Sequence, residues 1–377
     1  MQLKVHESLQ GLKPYKSFDE RSDVRLNTNE NPYQIPDAVL EDMGKAVQEA
    51  LKTINRYPQD NQDELKDELV KYLAKRENIK LKKDNILLGN GSNEIFALIF
   101  EAFGGGQCIT FSPSYSMYPH YCLDSVTELV VIPRDPDQDF EIDTNLALRS
   151  IRLRGEREDL HIVLLTQPNN PTGNFADREQ VIKILDQAKI EKALVVIDEA
   201  YAEFRNDDDE ASLDLISKYD NLIVVRTLSK AFSLAGARVG YAIAQPKVID
   251  ILKLVRLPYN LSALTQAVAI TALKHSDEML KNVEEIKQRR DSLSTWLKEQ
   301  KMGTKNLQVI PSSANFIQVG TSRMPSFPKK AHDYLLKNHS IEIRQVGPEG
   351  FFRVTIGTEE EMDKFKSAFS EFLKTVK

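Results

Sequence analysis

The chain has 377 residues, of which 41% are hydrophobic and 28% charged, the profile of a soluble globular protein with material for a large domain and a smaller companion. A formal charge of −6, from 50 basic and 56 acidic residues with no long basic block, argues against nucleic acid and anionic membranes as general partners. Only two cysteines occur, Cys108 and Cys122, too few for a disulfide scaffold and in keeping with a reducing compartment; each reads as an ordinary half-buried thiol.

The N-terminus, Met1 to Ser8, carries a charge every few residues and lacks the apolar segment of a secretory signal. No stretch approaches the roughly 20 apolar residues of a membrane span, so a cytoplasmic protein is expected. Asn85–Gly89 reads as a strand, Asn93–Phe103 as a helix, and Gln107–Phe111 and Glu128–Ile132 as further strands. Four more follow at His161–Leu165, Ala193–Ile197, Asn221–Val225 and Val239–Ile243. Several lack in/out alternation, as strands of a mostly parallel sheet covered on both faces should, which predicts an α/β sandwich. The acidic run Asn206–Glu210 reads as a solvated loop.

After Pro246 the texture changes. Ala263–His275 and Ser276–Gln300 have helical spacing, with Trp296 on an apolar stripe and therefore assigned to core. A short α+β block follows, with strands at Asn315–Val319, Ile341–Arg344 and Phe352–Ile356 and a final helix from Glu359. The change of texture falls across residues 246–275, and the expected division is an N-terminal arm 1–30 joining the small domain, a large domain 31–260 and a small α+β domain 261–377.

Open α/β sheets bind ligands at strand ends, and the chemistry-bearing residues gather there. Gly89-Asn-Gly-Ser-Asn-Glu94 is a strand-to-helix turn whose free N–H groups suit a phosphate, although most such glycines merely let the chain turn. Thr227, Ser229 and Arg238 strengthen that reading, because hydroxyls and a guanidinium are what a dianion requires. Pro113-Ser-Tyr115 places an aromatic ring where a flat heterocycle could stack, and Gln167-Pro-Asn-Asn-Pro-Thr-Gly173 offers the amide of Asn170 to a ring oxygen. Asp198 ends an apolar run, with Tyr201 three residues on and Lys230 in a hydroxyl-rich turn downstream. A strand-end aspartate is more often a helix cap. Its spacing to a lysine in this setting instead suits pyridoxal phosphate, whose aldehyde condenses with a lysine amine while an acid keeps the pyridine nitrogen protonated. The six histidines, at 6, 120, 161, 275, 332 and 339, show no metal-ligand spacing, and no metal is expected.

Taken in order, Asn27-Thr-Asn-Glu-Asn-Pro-Tyr33, Arg56-Tyr-Pro58, the glycine turn, Ser114-Tyr-Ser-Met-Tyr118, Pro168–Gly173, Asp198-Glu-Ala-Tyr201, Thr227-Leu-Ser-Lys230 with Arg238, Leu257–Leu261 and Phe352–Thr358 resemble the fold-type I pyridoxal-phosphate aminotransferases over nearly the whole chain. The subfamily they look like is that of the histidinol-phosphate aminotransferases. The resemblance implies that Lys230 holds the cofactor's aldehyde and shuttles the proton, that Asp198 pairs with the pyridinium, and that Tyr201 and Asn170 hold the phenolic oxygen. By the same likeness Tyr115 stacks on the ring, while Ser92, Asn93, Thr227, Ser229 and Arg238 bind the phosphate. Tyr57 is expected to reach the phosphate of a neighbouring subunit in a homodimer. Arg353 would clamp the anion of the amino-acid substrate, Arg344 would help to hold a substrate phosphate, Asn170 would also contact the substrate, and Tyr15 would reach it from a lid.

The implied reaction is ping-pong exchange of an amino group between L-histidinol phosphate and 2-oxoglutarate, giving imidazole acetol phosphate and L-glutamate in histidine biosynthesis. The chain departs from the family pattern at Gln34, Gln59 and Asn93, and the loop Gln345–Phe352 between the two arginines is compact. That loop lies where selectivity is set, so an aromatic amino-acid transaminase and a phosphothreonine decarboxylase stand as rivals. A non-catalytic regulator of the same fold would need a basic helix-turn-helix, for which there is no sequence pattern.

Overall fold

Burial of strands on both faces organises the larger body of the protein. The computed structural model describes residues 22–302 and 304–376. After a short strand β1 (Val24–Leu26), seven strands form one sheet: β2 (Ile86–Asn90), β3 (Gln107–Ser112), β4 (Glu128–Pro133), β5 (Leu160–Thr166), β6 (Leu194–Asp198), β7 (Leu222–Thr227) and β8 (Val239–Ala244). Their spatial order is β2-β8-β7-β6-β5-β3-β4, and only β8 runs against its neighbours. Successive residues point to opposite faces and both faces are packed: Val163, Leu165, Leu222 and Val224 enter one apolar cluster, and Ile162, Leu164, Ile223 and Val225 the other. Continuous apolar runs follow from that geometry.

Helices α1 (Asp37–Leu51), α2 (Asp63–Glu77), α5 (Thr144–Gly155), α6 (Arg178–Ile190) and α8 (Ala263–Lys274) contribute to the first cluster, and α3 (Ser92–Phe103), α4 (Tyr118–Asp124) and α7 (Pro246–Val255) to the second. Cys108 on β3 and Cys122 on α4 both lie in the second cluster as free thiols, fully buried rather than half-buried, because α4 is laid directly on the sheet. Among the described residues no helix is long and apolar enough to cross a membrane.

The smaller body is built around a second core. After α9 (Ser276–Leu280) come α10 (Val283–Glu299), a two-residue hairpin β9 (Lys301–Met302) and β10 (Lys305–Asn306), and an antiparallel sheet of β11 (Gln308–Val309), β12 (Phe316–Gly320) and β14 (Phe351–Thr355). Helices α11 (Phe327–His339) and α12 (Glu359–Thr375) cover it, the latter opened by a Thr358–Glu361 capping box. Phe327, Phe352, Phe369 and Phe372 pack together, and Trp296 meets Phe369 edge-on, as expected of a core residue. Strand β1 pairs in parallel with β13 (Ile341–Ile343), so the N-terminal segment is stitched to this body.

The helical pattern over 276–300 predicts one helix, and two are found, separated at Lys281 and Asn282. The break lies where the chain leaves one core for the other: Met279 belongs to the larger cluster, Val283 and Ile286 to the smaller, and Leu280 touches both. Because α8 packs against α1 and α2, we place the division near Leu280 rather than after residue 260. The acidic loop is also more than a solvated turn. Asn206 receives Arg290 at 2.6 Å and donates to Ser313 at 2.9 Å, and Asp207 pairs with Lys287 at 2.9 Å, so its first residues clasp the smaller body.

Beneath the C-terminal ends of β6 and β7 lies a buried ion network. Glu199, 1% exposed, takes Nε and Nη2 of Arg226 at 2.9 and 2.7 Å, and its other oxygen accepts the Ser212 amide. Arg226 Nη1 reaches Glu77 on α2 at 2.9 Å, and Arg205 joins the same carboxylate at 2.7 Å. Burial raises the Glu77 carboxyl, but the two arginines overcome it and lower the group to about 2. Its contribution to stability is therefore complete above the ordinary glutamate range and is lost as pH falls toward about 2. An Arg226→Met variant leaves Glu199 buried without its cationic partner and Glu77 with Arg205 alone, and urea titration should show it destabilised by about 3–5 kcal/mol; a loss below about 1 kcal/mol would remove the network from the account of stability.

Candidate functional site

Six of the seven strands deliver residues to one rim. The C-terminal ends of β2, β3, β5, β6 and β7 supply Asn90–Ser92, Ser112–Tyr115, Thr166–Asn170, Asp198 and Thr227–Lys230. Because β8 runs the other way, it is its start that lies at this rim, which brings in Arg238 just before Val239. The rim opens into a cavity of about 410 Å³, closed on its far side by Arg344, Val346 and Arg353 of the smaller body and by residues 25 and 27–30.

One end of the cavity is a cup of donors. Gly91 adopts φ +76°, and any side chain there would run into the Arg238 guanidinium, so glycine is needed for the close approach. Helix α3 begins at Ser92, and its first two residues, Ser92 and Asn93, line the cavity, where a helix start offers unpaired N–H groups. Opposite them, the Ser229 amide donates to Thr227 Oγ1 at 3.1 Å, and Arg238 Nη1 donates to Ser229 Oγ at 3.3 Å. Arg238 makes no ion pair among the described residues. Hydroxyls, helix-start amides and a guanidinium uncompensated by carboxylate fit a phosphate dianion.

The middle of the cavity holds groups whose ionisation is set by burial. Asp198, 5% exposed, accepts Tyr118 Oη at 2.8 Å and the Ala200 amide at 3.1 Å; burial nonetheless pushes its carboxyl up to about 6. A cationic ring N–H beside it would relieve that cost. Lys230 donates to the Thr28 carbonyl at 3.0 Å and is held down to about 8, by burial first and then by Arg353, with Glu30 and Asp198 opposing. Tyr201 Oη accepts Asn29 Nδ2 at 2.9 Å and Asn170 Nδ2 at 3.4 Å. Arg353, 6% exposed, donates Nη1 to Asn170 Oδ1 at 2.5 Å and Nη2 to the Asn27 carbonyl at 2.7 Å, with its guanidinium 5.1 Å from the centre of the Phe316 ring.

Measured against the expectations, Ser92, Asn93, Tyr115, Asn170, Asp198, Tyr201, Thr227, Ser229, Lys230, Arg238, Arg344 and Arg353 all line this one cavity. Tyr115 reaches Asn93 Oδ1 at 3.4 Å and meets Tyr118 edge-on. Arg344 and Arg353 exchange backbone hydrogen bonds of 3.0 and 2.8 Å, so they are direct neighbours across an antiparallel pair. Tyr57 is not in the cavity: it is 81% exposed and stacks on Tyr259 with centroids 4.5 Å apart. Tyr15 lies outside the described residues. Reading the sequence assigned no role to Tyr118, which orients Asp198, or to Asn27, Thr28 and Asn29, whose groups tie Arg353, Lys230 and Tyr201. Their motif was visible, but no spacing rule says that an Asn-rich segment near the start of a chain will cross a site formed two hundred residues later.

Comparison with known proteins follows the same lines. Residues 21–369 match the family model described as aminotransferase class I and II. The chain is similar to histidinol-phosphate aminotransferase of Bifidobacterium adolescentis, 40% identical over 387 aligned residues that cover 99% of this chain and 96% of that protein. It is likewise similar to histidinol-phosphate aminotransferase 3 of Burkholderia lata, 42% identical over 353 residues covering 93% of this chain and 90% of that one. Among solved structures, histidinol-phosphate aminotransferase from Sinorhizobium meliloti in complex with pyridoxal 5′-phosphate shares the fold with a TM-score of 0.84 at 24% identity, over 100% of this chain and 99% of that one. The chain therefore belongs to the class I and II aminotransferases, within the histidinol-phosphate aminotransferase family.

Proposed function

We propose that the protein transfers an amino group from L-histidinol phosphate to 2-oxoglutarate, using pyridoxal 5′-phosphate held in the cavity described above. The observation that carries this reading is the convergence, in one cavity, of a phosphate cup, a lysine with a lowered pKa, a buried aspartate and two arginines on adjacent strands. The relatives named histidinol-phosphate aminotransferase support the substrate, and the Sinorhizobium complex supports the cofactor. When bound, the cofactor supplies an electron sink for the carbon that exchanges its amine.

The protein's own groups then have distinct tasks. Ser92, Asn93, Thr227, Ser229 and Arg238 hold the phosphate, Tyr115 covers the ring face, and Asp198 retains a proton on the ring nitrogen. Tyr201 and Asn170 present donors to the ring oxygen. Lys230 Nζ, lowered to about 8, exists in part as the neutral amine near neutral pH and can both take and return a proton at the reacting carbon. Arg353 and Arg344 clamp the substrate phosphate in one half-reaction and a carboxylate of glutamate in the other.

The reading extends to a cytoplasmic homodimer. Tyr57, Leu254 and Leu257 are 81%, 83% and 72% exposed, large apolar side chains that a partner subunit would cover. Tyr57 among them would complete the phosphate cup of the partner.

Three measurements test the proposal. Purified protein should show a visible absorption band that borohydride bleaches, and Lys230→Ala should lack it; a bleachable band in that variant would displace Lys230. Asp198→Ala should lower kcat by about 100- to 1,000-fold, the scale on which one preorganised electrostatic group acts, with little change in thermal stability. A near-normal kcat would end its assigned role. With 2-oxoglutarate as acceptor, histidinol phosphate should outreact phenylalanine and tyrosine, and phosphothreonine should release no carbon dioxide. Turnover of the aromatic amino acids alone, or carbon dioxide release, would hand the function to the corresponding rival.

A further inference from the structure

The hydrogen-bond chain around Tyr201 carries more than its place in the cavity. Asn29 is 1% exposed and sits at φ +54°, a left-handed conformation that asparagine tolerates better than most residues. Its backbone N–H donates to Thr355 Oγ1 at 3.0 Å, and that hydroxyl lies 3.0 Å from Asn29 Oδ1. A threonine hydroxyl has one proton. The hydroxyl donates that proton to Oδ1 at 3.0 Å, an arrangement in which the Asn29 amide turns Nδ2, and not Oδ1, toward Tyr201 Oη at 2.9 Å. A second amide is fixed in the same sense: Arg353 occupies Asn170 Oδ1, leaving Asn170 Nδ2 toward Tyr201 at 3.4 Å.

Both amides thus present donors to the Tyr201 oxygen, and neither offers it an acceptor. The phenolic proton has to be directed elsewhere, and Tyr201, which is 4% exposed, lines the cavity. We propose that Asn29, locked by Thr355, is a positioning residue that aims the Tyr201 proton into the cavity and strengthens it as a donor there. A hydroxyl that accepts a hydrogen bond is a stronger donor in turn, and the effect is larger in a dry interior. The inference rests on the reading that Tyr201 faces the ring oxygen of the cofactor.

The geometry also ties the donor to the strand that carries Arg353. Asn29 and Thr355 sit respectively on the crossing segment and on β14, two residues beyond Arg353 on the same strand. Asn315 Nδ2 adds a third link, donating to the Asn29 carbonyl at 3.2 Å. The strand that holds the anion clamp therefore also holds the lock on the Tyr201 proton.

The experiment uses the holoprotein and follows the pH midpoint of its visible band. A donor to the ring oxygen favours the form with the fuller negative charge on that oxygen, so weakening the donor raises the midpoint. Asn29→Gly keeps the backbone conformation and should raise it by about half a pH unit or more. Thr355→Val should shift it in the same direction, and Thr355→Ser, which keeps the hydroxyl, should leave it at the wild-type value. On a Tyr201→Phe background neither Asn29→Gly nor Thr355→Val should move the midpoint further. Unchanged midpoints in both single variants, a shift in Thr355→Ser equal to that in Thr355→Val, or full shifts persisting without the Tyr201 hydroxyl would each overturn the proposal. Failure of the underlying reading shows separately: wild type would lack the band, or Tyr201→Phe alone would leave the midpoint unmoved.

Discussion

The pairing of Glu199 with Arg226 is the interaction on which the site's dimensions depend. Glu199 follows Asp198 directly and Arg226 precedes Thr227, so an ion pair with two contacts of 2.9 and 2.7 Å lashes together the ends of β6 and β7. Those ends carry the buried acid and the turn that leads to Lys230. Because both partners are 1% exposed, neither can relax into solvent. Glu77 and Arg205 extend the pair to α2 and to the turn after Tyr201, so the scaffold under the cavity is ionic while the layers around the sheet are apolar.

Burial acts on the two central ionisable groups in opposite directions. It raises Asp198 to about 6 and lowers Lys230 to about 8, in each case disfavouring the charged form. The same dry surroundings therefore bring both groups closer to neutral pH, where each can exchange or hold a proton. Arg353 adds to the effect on Lys230 and is itself held by Asn170 and by the Asn27 carbonyl. The site is a single electrostatic unit in which Arg353, the lysine and the aspartate are not independent.

Much of this was legible in the chain because local signals there are strong. The strands at 86–90, 107–112 and 160–166 fall within a residue or so of their apolar runs, since two-sided burial leaves no polar positions to blur them. The cavity's lysine and aspartate, the hydroxyls of Thr227 and Ser229, and Arg238 were legible because each sits at or near a strand end in a short motif. The break at Lys281 and Asn282 was not legible, because helical spacing continues on both sides and only the change of core decides that the helix must stop. The full burial of Cys108 and Cys122 likewise depended on α4 lying flat against the sheet.

By itself the sequence indicated the layer architecture and 12 of the 21 side chains that line the cavity, because periodicity and turn motifs are properties of neighbouring residues. Tertiary structure alone decided three things. It reversed β8, so that Arg238 arrives at the same rim as Lys230. It set Tyr118 against Asp198. It drew residues 27–31 across the cavity, where Asn27, Thr28 and Asn29 meet Arg353, Lys230 and Tyr201. The last two join groups 80 to 326 positions apart, and such contacts are fixed by the packing of distant elements against one another rather than by any local preference of the chain.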